Sequence, residues 1–190
     1  ACLRQLRAGQ SVCIFGSGET TWNGQTVPVL PATAMLAQIS GATLITYRIE
    51  GGYLTNPRWG KGLRRGRMHG GVVGVYPPEQ LKAMKKEEIL DVINSDINED
   101  TWAAQAAAPV AYKGKRRAEY LEAALFICPE CGKLETMHSE GNTVSCKACG
   151  WRLHIDPFGM FSNTRFTNVR DISDWQKEQI RHHAEKNTAY

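Results

Sequence analysis

Long apolar runs are the first thing this sequence lacks. A membrane-spanning helix needs roughly 20 consecutive apolar residues, and the best stretch, 29–47, is interrupted by Pro31, Gln38, Ser40 and Gly41. A spanning segment is therefore not expected, while contact with a membrane surface stays open. The opening ACLRQLRAGQ has neither the apolar core nor the cleavage site of a secretory signal. Gly (18) and Pro (8) are too few for a low-complexity chain and show no collagen period. No large charge excess exists either: 23 Lys and Arg against 19 Asp and Glu leave +4, too mild to name a partner. What remains is an ordinary globular composition, 190 residues with 42% hydrophobic and 22% charged, enough to bury a core in one or two domains.

The charge is unevenly spread. Between residues 48 and 73 the basic side chains are Arg48, Arg58, Lys61, Arg64, Arg65 and Arg67, against Glu50 alone, with glycines at 60, 62, 66, 70 and 71. Such a loop can follow a phosphate surface, whether of a lipid headgroup, a nucleotide or a nucleic acid. A solvated, flexible loop is the plainer alternative.

Along the chain, a short helix is expected over 1–8, ended by Gly9. SVCIF (11–15) reads as a buried strand leaving into Gly16-Ser17-Gly18, with Cys13 as a small core side chain. An apolar helix over 29–39 and a second strand, ATLITYRI (42–49), follow with short links. Strand, helix, strand argues for an α/β fold with a partly parallel sheet flanked by helices. VVGVY (72–76) reads as a third strand, and 77–107 as charged helices broken near 98–100. The expected organisation is an α/β domain over 1–112, a charged link KGKRR (113–117), a small zinc-ribbon module over 118–168, and a tail over 169–190 with a helix from Ser173.

Four of the six cysteines form C-P-E-C (Cys128, Cys131) and C-K-A-C (Cys146, Cys149), each followed by glycine. Two thiolates three positions apart on a tight turn can bind one ion, and two such knuckles complete a tetrahedral sulfur site that suits zinc. Iron fits the same four thiolates. Disulfides would require an oxidising compartment, and a redox C-x-x-C needs no second matching pair. Four thiolates leave no open position for water, so the expected role is structural. Trp151, Phe158, Phe161 and Phe166 would then form the module's core rather than stack on bases.

The turn FGSGETTWNG (15–24), the helix after it, and TLITYRIEGGYLTNPRW leading into the basic glycine loop together resemble the bacterial 1-acylglycerol-3-phosphate acyltransferases. That family has a strand ending in FPEGTRS or FPEGNRSW, then a helix and a strand leading to a glycine. The likeness is to clostridial-type members with a cysteine-paired tail and a terminal helix like Asp174-Trp175-Gln176, and it spans 1 to about 180. Phe15 and Gly18 match the family turn, whereas its Pro, Glu and Arg fall on Gly16, Ser17 and Thr20, and Glu19 is displaced by two positions.

The resemblance implies transfer of a fatty acyl group from an acyl-carrier protein or coenzyme A thioester to lysophosphatidic acid. Ser17, Gly18, Glu19 and Thr20, with Arg58, Lys61, Arg64, Arg65 and Arg67, would hold phosphate and an anionic membrane surface. It also implies a cytoplasmic location, peripheral at the inner face of the cell membrane. The family's catalytic histidine, followed five positions later by aspartate, has no counterpart: His69, His138, His154, His182 and His183 all lack that partner. With Ala rather than Met at position 1, the expectation is a chain that begins partway into a longer enzyme and is inactive alone. The alternative is a zinc-ribbon module that binds nucleic acid or anionic lipid. Nucleic acid is disfavoured, because the basic residues concentrate outside the ribbon and no aromatic-interleaved signature is present.

Overall fold

The computed structural model describes residues 1–187. The elements in chain order are α1 (Cys2–Arg7), α2 (Pro31–Ser40), β1 (Leu44–Glu50), α3 (Gly52–Thr55), β2 (His69–Tyr76), α4 (Pro78–Ala83), α5 (Lys86–Ile97), α6 (Thr101–Ala107), a 3-10 turn (Leu121–Ala123), β3 (Met137–Glu140), β4 (Thr143–Cys146), β5 (Arg152–Ile155), β6 (Phe161–Ser162) and α7 (Val169–Asn187). The chain divides into two compact units. The first comprises Ala1–Thr21, Thr26–Glu50 and Met68–Asp100, and the second Trp22–Gln25, Gly51–Arg67 and the chain from Thr101 onward. Among the described residues no helix is long and apolar enough to cross a membrane.

In the first unit, Pro31 opens α2 with its preset φ, and Gly41 closes it in the left-handed conformation at φ 72°. Pro78 opens α4 in the same way. The Glu88 carboxylate accepts the Lys85 N–H at 2.7 Å and so caps α5. Val29, Ala34, Leu81, Ile89 and Ile93 form the core that these helices close. Asn94 Oδ1 ties the entry to α2 by accepting the Val29 amide at 2.8 Å.

Strands β1 and β2 pair antiparallel, with Leu44 opposite Tyr76 and Glu50 opposite His69. One face meets α5. There the Thr46 and Tyr76 hydroxyls donate to Asp96 Oδ2 at 2.7 and 2.6 Å. Gly74 is required at this point, because a Cβ would lie 2.6 Å from the same carboxylate oxygen. On the other face Ile45, Tyr47, Ile49, Val72 and Val75 are exposed.

The expected partly parallel sheet is not formed: both sheets, of two and four strands, are antiparallel. Residues 11–15 form no strand. Apolar, β-branched side chains favour an extended chain, but a strand exists only where its N–H and C=O groups find a ladder. Cys13 is consequently exposed rather than buried. The helix expected from Ser173 starts earlier, at Val169, where Asn168 Oδ1 accepts the Arg170 N–H at 2.9 Å as an N-terminal cap.

The second unit has a continuous aromatic and aliphatic core that includes Tyr53, Leu54, Trp59, Trp102, Tyr112, Leu121, Leu125, Val144, Leu153, Ile155 and Ile172. Polar tips inside it are satisfied: Tyr53 donates to the Trp22 carbonyl (3.0 Å), Trp59 Nε1 to the Tyr53 hydroxyl (3.2 Å) and Trp102 Nε1 to the Asn23 carbonyl (2.6 Å). Residues 113–117, expected as a link between domains, lie within this unit. Arg65 and Lys113 exchange backbone hydrogen bonds at 2.9 and 2.8 Å, and the Tyr112 amide donates to the Pro157 carbonyl at 2.7 Å. Strands β3 to β6 follow one another as an antiparallel meander.

Replacing the fully buried Ile89 by Ala is expected to destabilise the first unit by about 2–5 kcal/mol, from lost burial and the cavity left behind. Urea unfolding checks this: the midpoint should fall without a change of slope.

Candidate metal centre

The first cysteine knuckle is built on a local bridge between Ile127 and Leu134. The Cys128 amide donates to the Lys133 carbonyl (3.0 Å), and the Gly132 amide returns to the Cys128 carbonyl (2.9 Å). The second repeats the plan, with the Cys146 amide on the Trp151 carbonyl (2.8 Å) and the Gly150 amide on the Cys146 carbonyl (2.9 Å). Gly132 and Gly150 sit at φ 70° and 79°, the left-handed conformation that lets each turn fold back on its sulfurs. Pairing of Met137 with Cys146 between β3 and β4 sets the two knuckles face to face.

All four Sγ atoms lie within 4.8 Å of one another. Cys128 is 3.6 Å from Cys149, and Cys131 is 3.8 Å from Cys146. Metal–sulfur bonds of about 2.3 Å in tetrahedral geometry place sulfurs about 3.8 Å apart, so the cluster fits one metal ion. Cys128 and Cys146 are buried, whereas Cys131 and Cys149 face solvent. Burial pushes the Cys128 thiol up to about 12. At Cys146 burial acts the same way but is outweighed by the Thr136 hydroxyl and the amides of Cys149 and Ala148, which bring the thiol down to about 6. Four sulfurs this close cannot all ionise without a cation among them.

Of the aromatics expected to form the module's core, Phe166 is buried, and Trp151 and Phe161 are partly buried against it. Phe158 is not part of that core and is 37% exposed. It lies in the 156–160 turn, where Asp156 Oδ1 accepts the Phe158 and Met160 amides, both at 2.8 Å. The turn uses the Phe158 backbone, and its ring remains outside.

The other predicted site residues are divided between the units. Ser17, Gly18, Glu19 and Thr20 belong to the first unit. The Gly18 amide closes a turn on the Phe15 carbonyl (3.0 Å), and the Ser17 hydroxyl donates to the Glu19 carbonyl (3.2 Å). Arg58, Lys61, Arg64, Arg65 and Arg67 belong to the second, each with its own surroundings. Arg58 lies over the Trp22 ring at 4.5 Å and Lys61 over Tyr120 at 4.1 Å, while Arg64 is buried against Trp59 at 4.9 Å. Arg65 is engaged through its backbone, and the Arg67 carbonyl accepts the Tyr112 hydroxyl at 2.9 Å.

One residue whose role sequence reading missed is Gln176, buried on α7. Its Oε1 accepts the Phe126 and Ile127 amides (2.8 and 2.9 Å), and its Nε2 donates to the Ala124 carbonyl (3.0 Å). The final helix is thereby fastened to the segment that enters the first knuckle. The signal available was a glutamine on the apolar side of a helix, one position after Trp175.

Comparison with known proteins finds no matching family model, no similar curated protein and no similar solved structure.

Metal removal with a strong chelator should unfold the β3–β6 sheet, and Cys128→Ser or Cys146→Ser should abolish metal binding with the same loss. Metal analysis and backbone NMR check this, with signals from the first unit expected to persist. Separately, Gln176→Leu leaves the buried Ile127 amide unpaired and should cost about 1–3 kcal/mol for that group alone, read from urea unfolding.

Proposed function

We propose that this chain is the acceptor-side part of a longer acyltransferase, which moves a fatty acyl group from an acyl-carrier protein or coenzyme A thioester to lysophosphatidic acid. The resemblance over FGSGETTW and TLITYRIEGGYLTNPRW points to that chemistry. The structural observation that supports it is the uncovered sheet face of the first unit. Ile45, Tyr47, Ile49, Val72 and Val75 are exposed together on a sheet of only two strands. A two-stranded sheet is marginal on its own, and a contiguous apolar patch calls for a partner layer. In a longer enzyme, further catalytic-domain structure supplies that layer.

The reaction requires a base to take the proton from the acceptor hydroxyl, whose oxygen attacks the thioester carbonyl as the thiol leaves. A histidine oriented by an aspartate performs that step in the resembling family, following the logic of a triad. None of the five histidines here has an aspartate five positions later. The base therefore comes from outside this chain, and the chain alone transfers nothing. The exposed basic side chains Arg58, Lys61, Arg65 and Arg67 contribute attraction to an anionic membrane surface, at the inner face of the cell membrane, with the salt sensitivity of exposed charges. Zinc is the ion proposed for the four cysteines, because a closed sulfur site suits a structural zinc.

The intact mass and N-terminal sequence of the native polypeptide test this reading. An upstream histidine followed five positions later by aspartate is expected, with acyl transfer to lysophosphatidic acid by that form and none by residues 1–190. A native protein that begins at Ala1, or a longer form inactive with both thioester donors, would overturn it.

A further inference from the structure

The KGKRR segment is more than a charged link. The backbone exchange between Arg65 and Lys113 aligns residues 61–64 with residues 114–116 around a cleft of about 200 Å³. Its lining is Lys61, Gly62, Leu63, Arg64, Gly114, Lys115 and Arg116. Glu119 is the acidic group paired here, bound to Arg116 at 2.9 Å. Lys61, Arg64 and Lys115 have no carboxylate partner among the described residues.

Arg64 is the physical anomaly. It is 7% exposed, yet its guanidinium reaches one protein acceptor, the Arg117 carbonyl, through Nη2 at 2.8 Å. The Arg117 guanidinium is itself held by carbonyls, donating to Gly114 and Ile155 at 2.6 and 3.1 Å. A second cation, rather than a counter-ion, thus lies beside Arg64. Burial, with a smaller contribution from Arg117, lowers Arg64 to about 10, so it stays charged near neutrality. The guanidinium also rests on the Trp59 ring at 4.9 Å and leaves no nitrogen both buried and unpartnered, so what it lacks is an opposite charge rather than hydrogen-bond partners. Gly62, Leu63, Lys115 and Arg116 line the cleft, and their N–H groups reach no acceptor among the described residues. Fixed cations with free amides on a glycine-containing loop make an anion cradle.

We propose that the cleft between the 61–64 and 114–116 loops is a binding site for a phosphate monoester, with Arg64 as its buried counter-charge and Lys61 and Lys115 as its outer clamps. Two sources carry that chemistry, a free phosphorylated metabolite and the headgroup of a lipid such as phosphatidate. The inference rests in part on the acyltransferase reading, whose acceptor and product are phosphate monoesters, but the two fail separately. Loss of acyl transfer in a longer form leaves phosphate binding at this cleft to be measured, and absence of phosphate binding here leaves the transfer assay to decide that reading.

The test is titration of the full chain with inorganic phosphate, with glycerol 3-phosphate, and with phosphatidylcholine vesicles with or without phosphatidate. The Arg64 Nε–H is followed by NMR in the soluble titrations. Saturable binding that shifts Arg64 is expected, weakened about tenfold or more by Lys115→Glu and by Lys61→Ala. The exposed Lys82→Glu, far along the sequence on α4, should leave it unchanged. Both cleft variants alter exposed side chains, so folding is expected to persist and is verified by metal content and circular dichroism. Binding of the soluble phosphates assigns a free metabolite. Vesicle binding that needs phosphatidate and is lost in both variants, without binding of soluble phosphates, assigns the lipid. The proposal is overturned by no binding of any probe, by binding indifferent to both substitutions, or by an oligonucleotide complex that phosphate does not displace.

Discussion

Four sulfur atoms gathered within 4.8 Å of one another are the constraint around which the second unit is organised. Thiolates at that distance repel strongly and need a cation among them. A ribbon with four short strands has little core of its own to oppose the entropy of ordering its loops. The knuckle turns and the β3–β4 register are both consistent with a metal-centred geometry. The same centre bears on more distant parts of the unit, because Cys128 and Cys146 are members of one continuous core that also contains Tyr53, Trp102 and Ile172.

The first unit is held differently. Its core is small, and the Asp96 carboxylate accepts from both Thr46 and Tyr76 on the buried side of the sheet. The opposite side is apolar and uncovered. Polar groups are satisfied where the sheet meets its helix, while the outer face carries exposed apolar side chains. That asymmetry leaves an apolar face open to a partner layer, which is the observation the proposed reading draws on.

The basic residues illustrate how chemistry is redistributed on folding. Read as a string, 58–67 is a cationic loop. In the folded unit its members have separate tasks: Arg58 packs on Trp22, Arg64 is buried, and Arg65 exchanges backbone bonds with Lys113. The cleft draws half its charge from a segment some fifty residues later, which composition alone marks only as a polar link.

Local signals carried a good deal. Pro31 and Gly41 bracket α2, Pro78 opens α4, and the cysteine spacing with its trailing glycines specifies a sulfur site, because each rests on neighbours within a few residues. The strand direction was not legible: whether β1 pairs in parallel with 11–15 or antiparallel with β2 turns on long-range hydrogen bonds that leave no mark in side-chain alternation. Nor could the sequence reveal that Gln176 is the clasp of the final helix, that Phe158 stays outside the core, or that Arg64 is buried beside another cation. Those outcomes depend on which distant carbonyls, amides and rings arrive at each position, and only the assembled packing sets that.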